Sequence, residues 1–266
     1  MDIVKCPVCG ELLKQYQAFY RCQKNHSFDI AKEGYTNLLL NQSSKIHGDA
    51  KDMLLAREYV QTKGYYQTVA KTIVLMMKCL SKEQIVDIGC GIGYYTAFVQ
   101  EAFHTNVIGI DISKDALKIA AKKNASVAYY VASNKSLPLM DQSVDLIMNI
   151  FSPVYITEVK RVLNTHGYII VVSANKYHLI ELKEIIYEDI HDKDELRNDI
   201  EDDAFKLVNE TSVKESMIFD KKSLDNLFLM TPHYWTSSIK GKEKLAEIDE
   251  LLLSIDVSVK LYQLGK

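Results

Sequence analysis

The chain has 266 residues, 47% of them hydrophobic and 25% charged, with a formal net charge of −3 at pH 7. That balance excludes wholesale disorder and a polybasic coat over the whole chain, though not a local basic patch. No apolar run approaches the ~18 residues of a membrane-spanning helix, and Met1-Asp2 lacks the basic start of a secretory signal, so the expectation is a cytoplasmic protein with no membrane partner.

At this length a small N-terminal module followed by one larger domain is expected, with the boundary drawn between residues 1–45 and 46–266. The module opens with "CPVCGELLKQYQAFYRCQKNH", residues 6–26, in which two residues separate Cys6 from Cys9, twelve separate Cys9 from Cys22, and three separate Cys22 from His26. Two short-range pairs on a longer tether suit a tetrahedral ion. Thiolates and imidazole favour zinc, and four protein ligands leave no open position for a catalytic water, which predicts a closed structural site. A reducing compartment argues against a disulfide. Cys79, placed on an apolar helix face, and Cys90, inside a glycine loop, have no such partners and read as small packing residues. Residues 1–45 carry six basic and four acidic side chains. Lys14, Arg21 and Lys24 are the candidate phosphate contacts there.

Residues 46–80 read as helical, with Asp49 as N-cap and a break at Gly64. A strand-helix alternation follows: strand 85–89, helix 94–103, strand 106–112, helix 114–123, strands 127–133 and 144–151, helix 154–163, strand 168–174, helix 176–189. This predicts an α/β fold, a Rossmann-like, doubly wound, mostly parallel sheet. Stretches 211–219 and 255–264 read as two further strands, with helical segments at 223–229 and 242–253 between them. The run 188–203, with nine acids and two bases, reads as a solvated face.

The first strand of the alternation runs into "VDIGCGIGYYT", residues 86–96. Gly89, Gly91 and Gly93 permit a tight turn and close backbone approach to a ligand, and Asp111 ends the next strand where a carboxylate can take both ribose hydroxyls. A nucleoside cofactor is implied, with NAD left open by a bare glycine repeat. Asp87 in the strand end, the Gly-Cys-Gly turn and the missing third helix-packing glycine instead resemble motif I of class I S-adenosylmethionine methyltransferases, in which a carboxylate of this kind lies near the methionine amino group. Where many such enzymes place an acid for the adenine, this chain has Ser133 and Asn134 as candidate substitutes. "NIFSP", 149–153, ends the fourth strand on the substrate side and lacks the paired prolines of amino-group methyltransferases.

The zinc-ligand spacing, "FDIAKEGYTNLLL" after it, Gly48-Asp49, "VDIGCGIGYYT" and "MTPHYW" (230–235) together resemble the bacterial RlmA-type 23S rRNA (guanine-N1)-methyltransferases. The resemblance runs from Cys6 to about Trp235. It implies methylation of N1 of a guanine in a 23S rRNA hairpin loop lining the peptide exit tunnel, by a homodimer that uses S-adenosylmethionine and zinc and whose zinc ribbon, residues 1–45, helps grip the RNA. It also implies zinc ligands at Cys6, Cys9, Cys22 and His26, a cofactor loop at Gly91 and Ile92, and cofactor contacts from Tyr66 and His178. Phe151 and Trp235 are candidate surfaces for a splayed base, and no residue is assigned as the general base. The competing expectations are a methyltransferase of a small metabolite with a purely structural ribbon, and a ribbon protein whose transferase fold is inactive.

Overall fold

The computed structural model describes residues 3–40, 50–80, 83–190 and 199–265. Asp49, expected as an N-cap, its neighbour Gly48 and residues 191–198 of the acidic run lie outside the described residues. Three short strands, β1 (Lys14–Gln15), β2 (Phe19–Arg21) and β3 (Ser27–Asp29), form an antiparallel ribbon. The next strand, β4 (Tyr35–Asn37), leaves the ribbon and joins the central sheet.

The helices α1 (Lys51–Thr62) and α2 (Gln67–Met77) flank the expected break, where Gly64 takes φ +86. Then β5 (Gln84–Ile88), α3 (Tyr94–Phe103), β6 (Asn106–Asp111), α4 (Lys114–Lys123), β7 (Ala128–Val131), β8 (Val144–Ile150), α5 (Ile156–Val162) and β9 (Leu163–Ala174) alternate. After α6 (Ile180–Ile186) come the long strand β10 (Phe205–Asp220), α7 (Lys221–Met230), α8 (His233–Thr236), α9 (Ile239–Ala246) and β11 (Glu250–Leu264). The central sheet runs β10-β11-β9-β8-β5-β6-β7-β4. Strands β4 to β9 pair in parallel, whereas β11 lies antiparallel to both β9 and β10. Strand order reverses at β5, which has β6 on one side and β8 on the other, so a crevice opens at their carboxyl ends where such sheets bind ligands.

Alternation along the strands feeds two cores: Ile85 belongs to one hydrophobic cluster, and Val86 and Ile88 to the other. The second cluster also takes in Val4, Cys6, Leu13, Tyr20, Cys22 and Leu38, so the ribbon shares apolar packing with β5, β6 and β7. Backbone bonds add to this seam: Lys5 N donates to Pro138 O at 2.9 Å, and Leu38 N to Val131 O at 3.0 Å.

Three expectations need correction. The helix placed at 242–253 ends at Ala246, because from Glu250 to Leu264 the chain pairs residue by residue with β10 and its side chains alternate, Leu252 out and Leu253 in. The helix placed at 176–189 shortens to Ile180–Ile186, since Leu179 enters it at φ +54 and Tyr187 leaves it extended. Cys79 follows the end of α2 and is exposed, not part of an apolar face, while Cys90 is buried as expected.

Candidate functional site

Cys6, Cys9, Cys22 and His26 present ligand atoms that all lie within 4.8 Å of one another. The edges of the group are Cys9 Sγ to Cys22 Sγ at 3.7 Å, Cys6 Sγ to His26 Nδ1 at 3.6 Å, and Cys22 Sγ to His26 Nδ1 at 3.4 Å. A tetrahedral zinc with Zn–S of about 2.3 Å and Zn–N of about 2.0 Å needs edges of this length. Gly10 at φ +76 closes the first knuckle, with its N–H donating to Cys6 O, and Asn25 at φ +63 closes the second, donating to Cys22 O. The donor set and its geometry fit zinc, which in such a site ties the ribbon together.

Between β5 and α3 the chain turns through Gly89, Gly91 and Gly93, all at positive φ. The first and last have a further reason to be glycine. A Cβ on Gly89 would lie 2.1 Å from Ser152 Oγ, and one on Gly93 would lie 2.6 Å from the Tyr129 hydroxyl. Ile92, between them, buries its side chain against Leu54 of α1 and Ala116 of α4 and so offers only backbone to a ligand. Asp111, at the end of β6, accepts from Gly91 N at 2.8 Å and from Ser113 N at 2.7 Å. Its carboxylate therefore sits on the glycine loop and fixes the start of α4.

Asp87 is 1% exposed. Its Oδ2 accepts the Thr96 hydroxyl at 2.6 Å, and its Oδ1 has no partner among the described residues. Burial, with a smaller push from the nearby Asp111 charge, raises this carboxyl to about 7 against the opposing Thr96 hydrogen bond. A buried carboxylate oxygen without a partner, beside a glycine turn, suits the ammonium of S-adenosylmethionine. Cys90 in the same turn is pushed well up by burial and by Asp87 and Asp111, which leaves it an unreactive thiol.

At the ends of β7 and β8, Asn134 Nδ2 donates to Ser152 Oγ at 3.2 Å, next to Gly89. Ser133 instead spends its hydroxyl on Lys135 N at 3.2 Å. Of the two expected stand-ins for the adenine acid, Asn134 is the one that borders the loop. Three rings gather nearby: His178 stacks on Phe151 with centroids 6.1 Å apart, and Tyr66 meets Phe151 edge-on at 6.1 Å. Asp256 N donates to His178 Nδ1 at 3.3 Å, which puts the proton of the neutral ring on Nε2, 3.5 Å from the Tyr66 hydroxyl. Burial, with the charges of Lys183 and His233, depresses His178 to about 3 and keeps it neutral. Phe151 holds φ +52, an uncommon conformation for an aromatic residue and one that recurs at functional sites. Trp235, 65% exposed, meets Tyr234 edge-on in α8 and makes no ring contact with this trio.

Lys14, Arg21 and Lys24 are all exposed on the ribbon. Lys24 pairs with Glu11 at 3.7 Å, and Arg21 lies 4.7 Å over the Phe19 ring. Several site residues carried no signal in the sequence. Arg57 of α1 comes within 3.7 Å of a Cβ placed on Gly91, but a single arginine in an amphipathic helix looks like any surface cation. Ser152 and Tyr129 matter only because the loop folds onto them, while Thr96, a polar residue that α3 buries completely, is visible once Asp87 is recognised.

Residues 4–45 match the family model described as "RlmA, N-terminal", a zinc ribbon, and residues 85–167 match the model "Methyltransferase domain". The chain is 28% identical to the 23S rRNA (guanine(748)-N(1))-methyltransferase of Streptomyces fradiae, covering 96% of this chain and 95% of that one. It is 33% identical to a protein of Micromonospora griseorubida named provisionally as a 23S rRNA (guanine-N(1)-)-methyltransferase, covering 67% of this chain and 68% of the relative. Among solved structures, the [4+2]-cyclase SpnF matches with a TM-score of 0.50 at 14% identity, covering 74% of this chain and 80% of that one, a likeness of fold alone.

Proposed function

The chain belongs to the RlmA-type 23S rRNA (guanine-N1)-methyltransferase family, and from that membership we propose that it methylates N1 of a guanine in a 23S rRNA hairpin loop lining the peptide exit tunnel. It is a methyltransferase dependent on S-adenosylmethionine, with a zinc-binding ribbon. The observation that carries the finer reading is continuity: the likeness to the guanine(748)-N1 enzyme covers ribbon and sheet together, 96% of this chain. A small-metabolite enzyme sharing only the methyltransferase sheet would not require the ribbon part of that alignment. The reading includes a homodimer, as the resemblance implies.

S-adenosylmethionine, when bound, supplies an activated methyl group on a sulfonium. The protein's part is chiefly alignment. In this reading the Gly89–Gly93 turn takes the cofactor by its backbone, and the unpartnered Oδ1 of Asp87 accepts its ammonium. Asp111, held by Gly91 N and Ser113 N at the end of β6, is the carboxylate placed to accept from the ribose hydroxyls. Asn134, fixed by Ser152, borders the adenine side. The guanine must leave its stack to reach the pocket. Phe151, backed by His178 and Tyr66, offers it a flat wall, and the neutral His178 adds no charge that would repel the sulfonium.

Primer extension across 23S rRNA from a strain lacking this protein, beside the complemented strain, tests the assignment directly. A methyl on N1 blocks base pairing and stops the polymerase. A stop that appears only with the protein present is the expected result; identical extension in both strains would overturn the rRNA substrate.

A further inference from the structure

The ribbon has two faces of opposite character. Along β1 and β2, Gln15 pairs with Tyr20, and Tyr20 is buried with its hydroxyl bonded to Tyr130 of the central sheet. The other face carries Lys14 opposite Arg21, then Tyr16 and Phe19, whose backbones close the hairpin through Tyr16 N to Phe19 O at 2.8 Å. The Tyr16 and Phe19 rings stack with centroids 5.0 Å apart and planes 19° from parallel. Arg21 lies over Phe19 at 4.7 Å. Tyr16 remains 49% exposed.

Strand alternation alone would have allowed a polar outer face here, as on most small ribbons. Instead three planar groups are held against one another on the solvent side, and Tyr16 is fixed in place before any partner arrives. A ring already immobilised loses little freedom on binding. Lys14 and Arg21 have no ion-pair partner among the described residues. Asp29 of β3 shares the face: it lies opposite Phe19 and disfavours phosphate on that side, which leaves the Lys14 side of the hairpin for a backbone. Flat aromatic surface beside unpaired cations is the chemistry that holds single-stranded nucleic acid.

Beyond the phosphate contacts already expected of Lys14 and Arg21, we propose that Tyr16 on this outer face of the ribbon hairpin stacks on one unpaired base of the RNA. The inference rests on the rRNA reading above and deepens it. The ribbon then contributes stacking as well as charge, so it selects unpaired nucleotides over duplex.

The test is a fluorescence-anisotropy titration of the full-length, zinc-loaded protein with a 23S hairpin oligonucleotide, repeated over a range of salt. Tyr16→Ala should weaken binding by about 5- to 50-fold with the salt slope unchanged, because stacking releases no counterions. Tyr16→Phe should bind as wild type. Lys14→Ala should lower the salt slope by about 0.7 to 0.9, the value for one phosphate. Replacing the loop bases with abasic nucleotides should erase the difference between wild type and Tyr16→Ala. Zinc content and cofactor affinity of Tyr16→Ala, measured in parallel, should match wild type, since the ring lies outside both sites. Wild-type protein that binds the hairpin with Tyr16→Ala binding equally well overturns this surface alone. A Tyr16→Phe variant as weak as Tyr16→Ala overturns stacking in favour of a hydroxyl contact. Wild-type protein that binds no RNA overturns the rRNA reading itself.

Discussion

The Tyr130 hydroxyl of the central sheet donates to the Tyr20 hydroxyl of the ribbon at 2.9 Å, and Tyr20 in turn donates to Gln15 Oε1 at 3.0 Å. The link sits in a cluster that contains two of the zinc ligands, Cys6 and Cys22, together with core residues of β5, β6 and β7. Ribbon and sheet should therefore unfold together. Chelating the zinc, or Cys22→Ser, should lower the melting temperature of the whole chain: a loss of only ~2 kcal/mol shifts it by about 4–8 °C at this size. Cofactor affinity should fall as well, because Ser133 and Asn134 follow directly on β7. Calorimetry and a cofactor titration on zinc-free protein check both. Unchanged cofactor affinity would mean the sheet stands without its ribbon.

Asp87 gives the protein a pH dependence of definite sign. Its folded value of about 7 lies above its ordinary 3.8, so between the two the native state holds a proton that the unfolded chain has released. Stability from this group is complete at pH below about 4 and is lost as pH rises through 7. Asp87→Asn should remove that loss. Without cofactor, the variant should gain on wild type between pH 5 and pH 8 by about 2–4 kcal/mol. Cofactor binding should respond oppositely, since a cation on Oδ1 requires the carboxylate. Wild-type affinity should climb as pH rises toward 7 and then level off, while the variant binds weakly throughout. Isothermal titration at several pH values separates the two effects.

The sheet was legible because its signals are local and periodic: α3 and α4 fall on the residues expected, and the five parallel strands from β5 to β9 follow from apolar runs bounded by turns. The zinc group was legible for the same reason, its spacing being a property of 21 consecutive residues. The end of the chain was harder. Leu251, Leu252 and Leu253 suit a helix as well as a strand, and only their pairing with Phe219, Ile218 and Met217 of β10 decides the matter. The same limit hid Arg57, Ser152 and Tyr129 from the site, since each is brought to the glycine turn by a different element.

Two glycines in that turn should respond differently to the same change. Gly91→Ala places a methyl 3.7 Å from Arg57 and costs chiefly the strain of its φ of +55, about 1–2 kcal/mol. Gly89→Ala adds to such strain a contact of 2.1 Å with Ser152 Oγ and 2.6 Å with Ser152 Cβ. Ser152 is buried, so the loop must move. The expected result, without cofactor, is a Gly91→Ala that stays close to wild type in stability and a Gly89→Ala that loses several kcal/mol. Equal melting temperatures in the two variants would show that the turn relaxes freely, contrary to the packing around Gly89.

Asp111 has two duties, and two substitutions can tell them apart. Its carboxylate ties Gly91 N to Ser113 N, which orders the turn and the N-terminus of α4, where Ser113 Oγ caps Ala116 N at 3.2 Å. In the proposed site it also accepts both ribose hydroxyls. Asp111→Ala removes both backbone bonds and both proposed ribose contacts, whereas Asp111→Asn keeps one acceptor oxygen and replaces the other with a donor. If structure alone were at stake, Asn would restore much of the stability that Ala loses, and cofactor affinity would recover in proportion. If the ribose is held as proposed, Asn should recover stability but not affinity, because a carboxamide cannot accept from two hydroxyls and a backbone N–H at once. The expected loss of affinity is about 1–3 kcal/mol for either variant, with hairpin RNA binding in the absence of cofactor little changed. Titration calorimetry with S-adenosylmethionine, set beside melting curves, decides between them: affinity that tracks stability across wild type, Asn and Ala would take Asp111 out of the ribose contact and leave it as the clamp of the turn.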